Sequence, residues 1–169
     1  MPYRDKDYYD ARAAVGVLSD GMSSRLFTEV REKEGLCYTV YASANTLRDR
    51  GAVLCYSATS TERAQETLDV TMRELRRLKD GVEEAELKRL KARIKSGLIM
   101  QQESSASRSV SMAIDWYHLA RIRPIQEVSD HINKRTADSI NKYLQRNPPQ
   151  DFRFVSLGMN PLELSLIHI

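Results

Sequence analysis

Residues 19–41, SDGMSSRLFTEVREKEGLCYTVY, read in order as loop, helix, glycine stop and strand. Asp20-Gly21 is a turn signal. Ser23 or Ser24 is placed to cap a helix, its hydroxyl accepting a hydrogen bond from a free amide of the first turn. Leu26, Phe27 and Val30 then recur at helical spacing. Arg31, Glu32, Lys33 and Glu34 make a charged last turn. Gly35 stands where a left-handed residue ends a helix. Residues 36–44 are rich in aromatic and β-branched side chains and read as a strand. The chain therefore reverses. Arg31 leaves one side of the turn and Tyr38 returns on the other, so a guanidinium and a phenol seven residues apart can converge on one point.

Outward from this run the pattern stays regular. Tyr8, Ala11, Val15 and Leu18 recur at three and four and predict a helix over 5–18. The strand at 36–44 joins a second strand, 52–58, through LRDRG, a linker of hairpin length, so the pair is expected to be antiparallel. Thr59 with Glu62 has capping-box spacing. Ala64, Leu68, Met72, Leu75 and Leu78 mark one helix face, which Gly81 ends. Glu83, Glu84 and Glu86 favour the positive start of a second helix, whose stripe is Leu87, Leu90, Ile94 and Leu98. The short Asp80-Gly81 link makes these two helices neighbours. Residues 103–111 suit either a loop or a helix start, before a helix to about Arg121. Pro124 suits a first helical position, and Thr136 caps a last helix that Asn147-Pro148-Pro149 stops. Residues 152–157 alternate in part and predict a final strand, which must pair with the hairpin to satisfy its backbone. These elements make an α+β domain with few strands for so many helical faces.

Composition narrows the function. A chain of 169 residues is one domain by length, with room for a real core. The 41% hydrophobic and 29% charged residues are those of an ordinary globular chain. A net charge of +3 gives no argument for nucleic acid. The basic residues between Arg73 and Lys95 are interleaved with glutamates, which is the pattern of a solvated face. No apolar run reaches the roughly 18 residues of a membrane helix, and the first residues, MPYRDKDYYDAR, show no signal-peptide core. Cys37 and Cys55 are too few for a disulfide framework. They fall at different levels of the predicted hairpin and read as buried thiols, leaving the redox compartment open.

Several side chains invite a chemical role. Glu29, Glu32 and Glu34 read as a solvated helix face with Arg31 and Lys33. Cys37 has no histidine near it in sequence to activate it. Asp115 and His118 lie three apart on a possible helix and read as a surface pair rather than metal ligands. The histidines are His118, His131 and His168, and none has a partner at the spacing of a zinc motif. For Arg31 and Tyr38, the residues alone favour a solvated arginine at a helix end and a core tyrosine.

The run GMSSRLFTEVREKEGLCYTVYAS, residues 21–43, resembles the pitrilysin-type (M16) zinc peptidases, the family of mitochondrial processing peptidases. The likeness is to the second, C-terminal type of domain, which carries no metal site. It extends through the hairpin, the paired helices with their Gly-Val-Glu-Glu start and the smaller helices, over residues 1–158. The resemblance implies a two-layer sandwich of the M16 or LuxS-like metallohydrolase type, an antiparallel or mixed sheet with helices on one face. Such domains begin with a strand ahead of the first helix. This chain starts at that helix, so the first strand is expected to be missing. Residues 159–169 form a tail, and LSLIHI, 164–169, reads as non-native adapter sequence at the end of a fragment.

The same resemblance assigns Arg31 and Tyr38 to the family's arginine–tyrosine pair, which reaches across a chamber toward the zinc site of another half. There the two donate to the substrate carbonyl as it becomes an oxyanion. The implied partners are a catalytic M16 domain or subunit and a peptide substrate, with no nucleic acid and no membrane span. No cofactor is expected in this chain. Zinc belongs to the catalytic half, because the His-x-x-Glu-His motif is absent here and the chain alone is expected to be inactive. The alternatives are a peptidase-like assembly subunit without a proteolytic role, or an unrelated α+β binding module.

Overall fold

A computed structural model of the chain describes residues 2–163, so the expected adapter run 164–169 lies outside the described residues. The first helix, α1, spans Tyr8–Ser19. A short helical turn at residues 25–26 then widens into a π-helix, Phe27–Lys33. Gly35 ends it with φ of 59°, as the sequence predicts. The Leu36 N–H reaches back 3.0 Å to the Val30 carbonyl. That is one residue further than the closing bond of an ordinary helix end, as the wider turn requires. Ser24 does not cap through its side chain: its hydroxyl donates 2.7 Å to the Gly21 carbonyl, tying off the preceding turn.

The hairpin follows. Strands β1 (Thr39–Thr46) and β2 (Gly51–Ala58) pair antiparallel, with Tyr41 opposite Tyr56 and Thr46 opposite Gly51. The Leu47 N–H donates to the Arg50 carbonyl at 2.7 Å and closes the tip. One face of the ribbon, with Val40, Ala42 and Cys55, packs on the core. On the α1 side, the Ala42 N–H donates 2.6 Å to the Ser19 hydroxyl, so β1 is tied to the end of α1.

Helices α2 (Ala64–Arg77) and α3 (Glu84–Glu103) follow the hairpin, joined through a tight turn at Gly81, where φ is 100°. The cap before α2 differs from expectation. Ser60 takes the N-terminal position of the entering turn, and the Thr59 hydroxyl donates instead to the Leu36 carbonyl, fastening the exit of β2 to the entry of β1. At α3 the expected acidic start is a true capping box of Glu83 and Glu86. Within residues 103–111, Glu103 ends α3, Ser104 is a cap, and α4 runs Ser105–Leu119. Helix α5 covers Ile125–Asn133, with Pro124 one position outside it, and α6 covers Ala137–Arg146, capped by Thr136.

Leu18, Leu26, Val30, Leu87 and Ile140 are almost wholly withdrawn from solvent and centre the core where α1, the π-helix, α3 and α6 meet. The fold is α+β. The predicted late strand does not form: among the described residues the sheet has two strands, and 152–157 run without a strand partner. Its alternation is still visible, since Phe152 and Phe154 pack on the core while Arg153 and Val155 face out. Side-chain pattern sets which residues turn inward, but a strand also needs a neighbour's backbone. Among the described residues no helix is long and apolar enough to cross a membrane.

Candidate functional site

The π-helix and the start of β1 carry the two residues of interest. Arg31 lies on the exposed side of the π-helix, its guanidinium stacked 4.9 Å from the centre of the Phe27 ring. The sequence pattern places Phe27 on a helical stripe with Leu26 and Val30. The structure separates it from Leu26 and Val30, which are buried, and leaves it half-buried beneath Arg31. The four-residue spacing of Phe27 and Arg31 was the available signal. Glu29 pairs with Lys33 at 2.9 Å, while Glu32 and Glu34 are exposed. This is the solvated face that the sequence describes.

Tyr38 owes its position to an irregularity in the ladder. Thr39 is the register partner of Ala58, yet the Tyr38 N–H also donates to the Ala58 carbonyl at 2.9 Å. Two residues thus face one, the pattern of a β-bulge, which re-aims a side chain. By plain alternation Tyr38 would share the inward face of Val40. Instead it is 77% exposed, which overturns its reading as a core tyrosine. Among the described residues neither the Arg31 guanidinium nor the Tyr38 hydroxyl makes a hydrogen bond within the chain.

Cys37 sits between them. Burial raises its thiol pKa above the ordinary value, and the nearby Arg31 charge pulls it only part of the way back. Burial alone pushes Cys55 up to about 11. Both thiols are free and half-buried rather than fully buried, at different levels as expected. A raised pKa keeps a thiol protonated and a poor nucleophile at neutral pH.

Asp115 and His118 correct another expectation. They are 4% and 8% exposed, and not a surface pair. Asp115 accepts from Tyr3 Oη at 2.8 Å, from the Arg123 N–H at 2.9 Å and from Arg123 Nε at 3.1 Å. Arg123 also donates to Tyr9 Oη at 2.6 Å. Tyr3 stacks on His118 with ring centres 4.5 Å apart, and Tyr9 stacks on His131 at 4.6 Å. The cluster pins the N-terminal segment to the α4–α5 joint. Its carboxylate is fully occupied by donors, so it does not fit a zinc ion. Among the described residues no group of three or more His, Cys, Asp or Glu side chains is placed to hold a metal.

Comparison with known proteins agrees with this picture. A relative from Mycobacterium tuberculosis, named as an uncharacterized zinc protease, is 34% identical over 125 residues, 73% of this chain and 28% of the relative. A relative from Bacillus subtilis, named as the uncharacterized zinc protease YmxG, is 29% identical over 147 residues, 85% of this chain and 36% of its own length. This chain thus spans roughly a third of the relatives it matches. The crystal structure of a peptidase M16 inactive domain from Pseudomonas fluorescens superposes with a TM-score of 0.70 at 24% identity, over 86% of this chain and 35% of that one, a likeness of fold alone. The model of the family described as Peptidase M16 inactive domain matches residues 1–94, and the chain, with a bulged hairpin and no metal cluster among its described residues, belongs to that family.

Proposed function

We propose that residues 1–158 form the substrate-contacting domain of a two-half zinc peptidase, with Arg31 and Tyr38 as its contribution to peptide hydrolysis. The observation that carries this reading is the bulge. It turns a phenol out of the core and leaves it unbonded, close in sequence to a guanidinium held upright on Phe27. Unpaired donors of this kind suit a carbonyl oxygen that gains negative charge in the transition state. The Tyr38 hydroxyl donates one hydrogen bond to that oxygen. Arg31 supplies a planar fork that rests on the Phe27 ring. The stacking leaves the guanidinium edge free to donate.

The partner is a zinc-bearing domain of the same family, in the same chain or a separate subunit, and the substrate is a peptide. The zinc protease relatives support this pairing. Metal chemistry belongs to the partner, since the residues here do not fit the ion. The test is to assemble the complete enzyme with Arg31→Lys and Tyr38→Phe and separate kcat from KM. Both variants are expected to lower kcat with KM nearly unchanged, because interactions made only in the transition state act on kcat. Unchanged turnover in folded variants overturns the reading and leaves an assembly role.

A further inference from the structure

The chain between Arg31 and Tyr38 is held at both ends and in the middle. At one end the Leu36 N–H donates 3.0 Å to the carbonyl of Val30, the residue before Arg31. At the other the Tyr38 N–H donates 2.9 Å to the Ala58 carbonyl. The grips in the middle come from side chains. Arg63 Nη1 donates to the Gly35 carbonyl, and the Thr59 hydroxyl donates to the Leu36 carbonyl. Thr59 is half-buried and Arg63 is exposed. The Thr67 hydroxyl also lies 3.2 Å from the Leu36 carbonyl, but its one hydrogen goes to the nearer Arg63 carbonyl at 2.8 Å. Thr59 is therefore the main donor to Leu36.

We infer that Thr59 and Arg63 are positioning residues for peptide hydrolysis: they fix the Gly35–Leu36 backbone so that Arg31 and Tyr38 meet the reacting carbonyl together. The inference rests on the assignment of that pair to the oxyanion. Tyr38 lies one residue before β1 and is 77% exposed, so little packing aims its ring. Its placement is set by its own backbone. The ladder is locally disrupted at a bulge, and the Leu36 carbonyl precedes the strand, where no ladder partner reaches it. The Thr59 hydroxyl, one residue beyond Ala58, takes that partner's place. Arg63 does the same for Gly35, where the chain turns from the π-helix toward β1. A group that acts on a transition state tolerates little drift, since a misplacement of about 1 Å costs on the order of 10²-fold in rate.

The experiment uses the complete enzyme. Thr59→Val removes the hydroxyl and keeps the branched shape. Arg63→Met removes the other donor at an exposed position. Each is expected to lower kcat on the order of 10- to 100-fold with KM nearly unchanged. Thr59→Ser keeps a hydroxyl and is expected to recover most of kcat. In an enzyme that already carries Tyr38→Phe, Thr59→Val is expected to lower kcat much less, because residues that act through one another are not additive. A further reading needs no turnover. Cys37 lies inside the held segment and Cys55 lies on β2. Both variants are expected to speed iodoacetamide labelling of Cys37, mapped by mass spectrometry, and to leave Cys55 unchanged.

Normal kcat in a folded Thr59→Val or Arg63→Met, beside an impaired Tyr38→Phe, overturns the role of that residue and leaves the oxyanion role standing. Normal turnover in Tyr38→Phe removes the oxyanion role and the positioning role with it. A loss that Thr59→Ser fails to restore, or that is undiminished in the Tyr38→Phe enzyme, overturns the positioning role of Thr59. So does faster labelling of both thiols together with a fall in melting temperature, which is general destabilisation. If Thr59→Val does not fold, Arg63→Met decides by the same readings.

Discussion

The Arg25 guanidinium donates to both carboxylate oxygens of Glu86 at 2.7 Å and to the Gly81 carbonyl at 2.8 Å. Glu86 in turn accepts from the Glu83 N–H and closes the capping box of α3. One ion pair thus ties the helix that carries Arg31 to the α2–α3 joint. Burial raises the Glu86 pKa, but the bonds from Arg25 and the Glu83 amide outweigh it and hold the carboxyl below its ordinary range. Asp115 is likewise pushed up by burial and brought below its usual range by Arg123. A carboxyl depressed in the folded state stabilises the fold above its unfolded pKa, and that contribution is lost as pH falls through the folded value. Stability should therefore drop as pH falls below about 4, and Glu86→Gln should flatten that drop in urea melts taken across pH. At neutral pH the same change strands a buried guanidinium and should cost roughly 3–5 kcal/mol. The thiols make a second residue-scale prediction. With both pKa values raised, Cys37 and Cys55 should alkylate more slowly than free cysteine at pH 7.5. Cys37, with Arg31 nearby, should react faster than Cys55 in a timed iodoacetamide assay.

At the scale of elements, two glycines separate backbone strain from crowding. Gly35 has φ of 59°, and a methyl group there would meet nothing closer than Arg63 Nη1 at 3.7 Å. Gly35→Ala should cost only the left-handed conformation, about 1–2 kcal/mol. Gly81 has φ of 100°, and its added carbon would lie 2.8 Å from Asn141 Oδ1. That amide bonds the Val82 N–H at 2.7 Å and the Val82 carbonyl at 3.2 Å. Gly81→Ala should therefore destabilise more than Gly35→Ala in parallel denaturant melts. Both glycine stops were legible in the sequence, because few other residues tolerate a positive φ. The Tyr38 bulge was not. A bulge depends on how two strands register, and alternation along one strand cannot show it. The late strand failed for a related reason: the inward turn of Phe152 and Phe154 could be read, but the presence of a neighbouring backbone could not.

For the molecule as a whole, the helix order and core were legible because periodic apolar residues mark buried faces. Leu18, Leu26, Leu87 and Ile140 come from four separate stretches, yet each stands on a stripe that the sequence displays. The Asp115–Arg123–Tyr3 cluster was not legible, since its members are joined across more than a hundred residues and no local pattern announces the contact. Arg31 and Tyr38 were legible as a spacing, and so was the exposure of Arg31, but the exposure of Tyr38 was not. The account turns on whether these two residues stabilise the transition state more than bound substrate. The most direct measurement is the affinity of the complete enzyme for a tetrahedral phosphinic peptide and for the matching uncleaved peptide, before and after Tyr38→Phe. The account predicts a loss on the order of 10²- to 10³-fold for the tetrahedral analogue, about 3–4 kcal/mol, with little change for the planar peptide. Equal losses for both ligands, or none for either in a folded variant, would contradict it.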